Sequence, residues 1–175
     1  MKSKAFFIVA TFFFGINSLM YGQEKTGLDI GDKAPNIIEK GIDGTTFELD
    51  SLRGKIVLID FWASYCGPCR KKHKLLIPLY EKYKDAAFTT GNGFTVFSVS
   101  LDGNKERWSK AVEKDGLIWP CHVSDLSGII SSKHRKTYNA SFIPVNYLID
   151  GNGIIIGKNL FGEELEEALK GMMKK

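Results

Sequence analysis

Residues 55–70, Lys55-Ile-Val-Leu-Ile-Asp-Phe-Trp-Ala-Ser-Tyr-Cys-Gly-Pro-Cys-Arg70, decide how this chain folds. Lys55–Trp62 is a nearly unbroken run of β-branched and aromatic residues. Continuous rather than alternating apolar character predicts a strand covered on both faces, as in a parallel sheet. From Pro68 to Lys84 the pattern becomes helical, with Leu76, Leu79, Tyr80 and Tyr83 on one side. Cys66 and Cys69 therefore stand where a buried strand gives way to a helix.

That junction suits a reversible disulfide. On a first helical turn, residues three apart hold their Cα atoms within the roughly 4.4–6.8 Å that an S–S bond tolerates. Unpaired N–H groups and the positive end of the helix dipole favour a thiolate at Cys66. Pro68 has no N–H to lose there and brings a preset φ, while Arg70, Lys71 and Lys72 add positive potential. Position alone makes Cys66 the exposed attacking sulfur and Cys69, one turn in, the resolving one. Zinc sites also use Cys-x-x-Cys but need two further ligands, and the chain has no second such pair. Haem attachment requires His directly after the second cysteine, and Arg70 occupies that place.

Outward from the junction, the pattern is that of one α/β domain. Asn36–Glu39 and Thr45–Leu49 read as strands of a small hairpin around Gly41–Gly44. Phe94–Leu101 is a further strand, and Lys105–Asp115 a helix with Trp108, Ala111 and Val112 facing inward. Ser127–Tyr138 reads as one more helix. Val145–Ile149 and Ile154–Ile156 are strands joined by Asp150-Gly-Asn-Gly153, whose residues tolerate positive φ. Glu163–Lys174 closes as a helix with acids first and lysines last. The expected class is α/β, a central sheet flanked by helices with an extra N-terminal β-hairpin.

Composition agrees. The chain has 175 residues, 43% hydrophobic and 25% charged, enough apolar material for a core and too much for disorder. The net charge of +4 falls to +2 without Lys2 and Lys4, which argues against a dedicated nucleic-acid surface. Three cysteines are too few for a disulfide framework, and an odd number leaves at least one unpaired. Lys2 and Lys4, the apolar run Ala5–Ile16 and the polar and small residues Asn17, Ser18 and Gly22 form the layout of a secretory signal peptide. An uncleaved anchor extended by Leu19, Met20 and Tyr21 is the alternative. The expected organisation is a signal peptide over 1–22, a flexible lead-in over 23–33 and a domain over 34–175 that works outside the cytoplasm.

Two residues outside the cysteine motif stand out. Asp60 lies inside the apolar strand, where an uncompensated carboxylate costs several kcal/mol. A carboxyl there could exchange the proton of Cys69 as the disulfide opens and closes; a local structural pairing is the other reading. Ile143-Pro144 enters a strand, and a proline must take an edge, a first strand residue or a turn, a cis bond among the options.

Taken together, Asp60, Phe61-Trp-Ala-Ser-Tyr-Cys-Gly-Pro-Cys-Arg70 and Phe142-Ile-Pro-Val-Asn-Tyr-Leu-Ile-Asp150 resemble the thioredoxin superfamily. Gly31-Asp-Lys-Ala-Pro35, Leu52-Arg-Gly54 and the extra hairpin are similar to its exported TlpA/ResA-like branch. The resemblance spans about residues 28–174. It implies a thioredoxin-like fold with a mixed sheet, Cys66–Cys69 as the redox pair, Asp60 as the buried acid, and Pro144 as a cis-proline facing the disulfide. Trp62, Tyr65, Gly67, Pro68 and Ile143 then line the place where an extended substrate segment docks. Lys74 stands where family members often carry a helix-bending proline, with Pro78 one turn later, and Tyr65 replaces a common Trp.

Other candidates read more plainly. Cys121 is expected to be a passive, partly buried thiol, with a regulatory or intermolecular disulfide as the alternative. His134 belongs to a packed helix face, and His73 is expected to be a solvated neighbour of the motif. Asp150 and Asn152 hint at a calcium loop, but Ile154 and Phe161 occupy places that need oxygen ligands. Arg70–Lys74 reads as a solvated helix face.

The functional expectation is an exported, periplasmic, monomeric dithiol–disulfide oxidoreductase acting on protein disulfides, with no cofactor beyond its own disulfide, no metal and no nucleic acid. The Gly-Pro pair and Ile143 resemble reducing thioredoxin more than the oxidant DsbA, so a reductase is favoured. Such a reductase draws electrons from a membrane thiol carrier, and the resemblance implies cytochrome c maturation as a common role. An oxidase or isomerase would use the same residues. A thiol peroxidase would need Thr-x-x-Cys, and Ala63 stands in place of the Thr. A copper-delivery module would use Cys66, Cys69 and a histidine as soft ligands.

Overall fold

The computed structural model describes residues 25–174; the expected signal peptide lies outside the described residues. The elements run β1 (Ile38–Lys40), β2 (Thr46–Glu48), a 3-10 turn (Leu49–Leu52), β3 (Ile56–Trp62), α1 (Gly67–Tyr83), β4 (Ala87–Phe88), β5 (Gly91–Asn92) and β6 (Phe94–Ser100). There follow α2 (Lys105–Asp115), β7 (Cys121–Val123), α3 (Gly128–Ser131), α4 (Lys133–Thr137), β8 (Val145–Ile149), β9 (Ile155–Lys158) and α5 (Glu163–Met172).

Five strands form the central sheet in the order β7-β6-β3-β8-β9. β3 pairs parallel with β6 and antiparallel with β8, so the sheet is mixed. All seven residues of β3 and of β6 are buried, as their continuous apolar runs require. Alternate residues of β3 feed two cores. Ile56, Leu58 and Trp62 pack with Leu76, Leu79 and Tyr83 of α1 and Leu165 and Leu169 of α5. Val57, Ile59 and Phe61 pack with Phe97, Val99, Tyr138 and Tyr147 on the other face. The extra hairpin is β1–β2, in register Ile38↔Glu48.

Several details depart from the sequence reading. The expected single helix over Ser127–Tyr138 is two short helices, because fully buried Ser132 adopts ψ 126° between them and caps the second through Arg135 N–H. β7 was not anticipated; its three residues are too few to show a period, and only pairing with β6 reveals it. The small β4–β5 hairpin was missed for the same reason. The lead-in is not free over its described part: Gly31 N–H donates to Ile155 O at 2.8 Å, and Ile155 N–H to Asp32 O at 2.9 Å. Residues 31–32 thereby cover the outer edge of β9, blunting an otherwise open strand.

Candidate redox site

Cys66 caps the N-terminus of α1 and is joined to Cys69 by a disulfide, with Cα atoms 5.3 Å apart. The Cys69 N–H donates to Cys66 Sγ at 3.2 Å, so a free helix-end amide already points at this sulfur. Cys66 is 8% exposed and Cys69 1%. The visitor's sulfur must therefore come to Cys66. Gly67 and Pro68 beside it are exposed, and Tyr65 is 61% exposed.

The loop that presents Cys66 is anchored by a residue the sequence did not single out. Buried Asp102, just beyond β6, accepts from the Ser64 N–H at 2.8 Å, the Ser64 hydroxyl at 2.5 Å and the Ser100 hydroxyl at 2.7 Å. At the other side, Ile143-Pro144 is a cis peptide. Ile143 packs against the cluster that contains Cys66 and Cys69, while Phe142 is 88% exposed. Trp62 does not line the docking place as the resemblance implies: it is fully buried and supports the site from beneath.

Below the disulfide the structure assembles something not visible in one dimension. Register places His122, Ser98, Asp60 and Asn146 side by side across β7, β6, β3 and β8. This is a polar row inside a sheet interior that is otherwise largely apolar. His73 covers it from α1, one helical turn beyond Cys69 and on the same buried face. His73 Nε2 lies 2.8 Å from Asp60 Oδ2, with both side chains buried. His73 is thus no solvated neighbour; at 2% exposure it is the partner that the buried carboxylate requires. Trp62 and Trp119 fix its ring edge-on, at centroid distances of 4.8 and 5.9 Å. His73 Nδ1, Ser98 Oγ and His122 Nδ1 have no hydrogen-bond partner among the described residues. A cavity of about 10 Å³, lined by Asp60, His73, Asn146 and Lys72 together with apolar residues such as Leu58 and Leu76, adjoins the pair.

This arrangement can hold one proton between Nε2 and Oδ2, next to the turn that carries Cys69. Nothing in the sequence spacing of Asp60 and His73 signals the contact, since they lie on different elements. A buried histidine on a helix face was the available clue.

The remaining candidates fall into place away from the disulfide. Cys121 is buried and unpaired, and burial pushes its thiol up to about 11. His134 is buried at 3.1 Å from Glu39 Oε2, on a packed face as expected. Asp150 is spent on its own turn, accepting from the N–H groups of Asn152 and Ile154 at 2.9 Å.

Comparison with known proteins agrees with this geometry. The family model described as Redoxin matches residues 29–171. The chain belongs to the redoxin family. Its relatives include the thiol-disulfide oxidoreductase ResA of Bacillus thuringiensis, 30% identical over 152 residues that cover 87% of this chain and 81% of the relative. Among solved structures, the thioredoxin domain of a thiol-disulfide oxidoreductase from Bacteroides vulgatus matches with TM-score 0.74 and 32% identity, covering 85% of this chain and all of that one. A thiol-disulfide oxidoreductase from Bacteroides fragilis matches with TM-score 0.70 and 30% identity, over 80% and 98%. This redoxin is a TlpA/ResA-like member of the thioredoxin superfamily and a thiol–disulfide oxidoreductase. Its substrates are disulfide-containing proteins.

Proposed function

We propose that this redoxin reduces disulfides of exported proteins in the periplasm, as a monomer, with electrons from a membrane thiol carrier and no cofactor beyond its own disulfide. The observation that carries the reading is the unequal exposure of the two cysteines at one helix end, Cys66 8% exposed beside exposed Gly67 and Pro68, and Cys69 only 1%. In the reduced protein the Cys66 thiolate, favoured by the helix-end amides, attacks a substrate sulfur and forms a mixed disulfide. The departing substrate thiolate takes a proton. The Cys69 thiol then passes its proton to the Asp60–His73 pair and, as a thiolate, attacks Cys66 Sγ, which re-forms the protein disulfide and expels the second substrate thiolate, protonated as the pair gives that proton up. Two electrons and two protons have moved to the substrate. Electrons from the carrier reverse the protein's half of the cycle.

The Gly67-Pro68 pair supports a reducing poise by its likeness to thioredoxin, at about −270 mV, rather than to DsbA, at about −120 mV. Cytochrome c maturation is one role this reading fits, since apocytochrome cysteines must stay reduced outside the cytoplasm. Equilibrating the Cys66–Cys69 couple with glutathione buffers tests the direction: a potential near −270 mV supports a reductase, and one above about −180 mV assigns the protein to oxidation or isomerisation.

A further inference from the structure

Two adjoining surface hollows, of about 390 and 360 Å³, begin at the active-site loop and run between α1 and α2. Gly67 lines the first; Ser64 and Tyr65 line the second. Their charged walls are Arg70, Lys71 and Lys74 from α1 and Arg107, Lys110 and Lys114 from α2. The one carboxylate among the lining residues, Asp115, is already neutralised: Arg70 donates to it twice, at 2.6 and 2.5 Å, and holds its carboxyl below the usual carboxylate range. The other five cations have no acidic side chain within 4 Å among the described residues. Six cations against one carboxylate is a local excess of five, larger than the +4 of the entire chain.

The segregation is built into α2. Arg107, Lys110 and Lys114 recur at helical spacing along one stripe; Glu106 and Glu113 fall about 100° from Arg107 and Lys114 respectively, and although about 40–60° from Lys110 neither pairs with it among the described residues. Across the disulfide the surface is different, with exposed Phe142 and partly buried Ile143 beside Pro144. The redox site therefore lies between a cationic flank and an apolar one.

Resting on the disulfide-exchange reading above, we propose that the α1–α2 hollows are a substrate-selecting surface for protein segments that carry Asp or Glu next to the cystine being reduced. Acidic segments are drawn to the open cations by long-range attraction and seated with their disulfide at Cys66. Basic segments meet like charge, which discriminates as strongly as the attraction does.

The test uses the full chain in its reduced form and three probes: neutral hydroxyethyl disulfide, and two peptides with one internal disulfide each, flanked by Asp/Glu or by Lys/Arg. Each reaction converts the protein dithiol and one probe disulfide into the protein disulfide and two probe thiols. At about 20 mM salt the acidic peptide should react about tenfold faster than the basic one, and about 500 mM salt should abolish the difference. The triple substitution Lys74→Glu, Lys110→Glu, Lys114→Glu should remove or invert the preference and leave the hydroxyethyl disulfide rate unchanged. The Lys→Gln triple, which introduces no new repulsion, should lower the acidic peptide's rate in the same direction. Equal rates for the two peptides in the unaltered protein would overturn the proposal. So would binding to phosphatidylglycerol vesicles through these lysines with no peptide preference, which would make the surface a membrane contact. Failure on hydroxyethyl disulfide is distinguishable from both, because it defeats the exchange reading itself.

Discussion

His73 Nε2 sits 2.8 Å from Asp60 Oδ2, a contact between a helix and a strand with neither side chain open to solvent. Removing one member of such a pair strands the other in an apolar interior. His73→Ala should destabilise the oxidised protein by about 3 kcal/mol, read from urea unfolding. Adding Asp60→Asn to it should cost less than the sum of the two single changes, because the uncompensated charge is gone. Strict additivity of the two would show that the pair is not a unit. Asp60→Asn should also slow release of substrate from the mixed disulfide by about 100-fold, while its formation through Cys66 changes little.

The unequal burial of the sulfurs sets the order of attack. Cys69→Ser should accumulate mixed disulfides between Cys66 and substrate proteins, visible on non-reducing gels and identifiable by mass spectrometry. Cys66→Ser, which leaves a sulfur only 1% exposed, should trap almost none. Equal trapping by both variants would exchange the assigned roles or abolish them.

Burial pushes the His122 imidazole down to about 4, against an ordinary 6.5. Between those pH values the unfolded chain binds a proton at this residue and the folded one does not. Stability should therefore fall as pH drops from about 6.5 to about 4, by about 3 kcal/mol in all from this group, and level off below. His122→Phe should flatten that part of the unfolding-versus-pH profile. An unchanged slope would mean that other groups carry it.

Cys121 offers a check on the core. With its thiol buried and pushed up to about 11, it should resist alkylation by iodoacetamide in the native oxidised protein at pH 8. In denaturant one thiol per chain should react, since the other two cysteines are bonded to each other. Rapid labelling without denaturant would reopen Cys121 as a redox partner.

Much of this architecture was legible in one dimension. The helix over Lys105–Asp115 and the strand over Val145–Ile149 fall on their expected residues, because long periodic or β-branched runs bounded by turn residues leave little choice. The Gly153 turn, with φ 83°, was announced by Asp150-Gly-Asn-Gly153. Short elements escaped: β7 has three residues, and its strand character comes from lying beside β6. The lead-in looked free because its polar residues have no period, yet its backbone bonds to β9.

At the site the division is sharper. Cys66, Pro68 and Cys69 lie within one helical turn, so local geometry alone brings the sulfurs together, and reading along the chain suffices. His73 meets Asp60, and His122, Ser98 and Asn146 join that carboxylate's row, only because strand register and helix docking bring four strands and α1 to one place. Register is settled by the burial of both sheet faces at once. The dithiol was thus determined by the sequence itself, while the proton-holding pair beneath it and the cationic flank beside it were decided by packing between segments far apart in the chain.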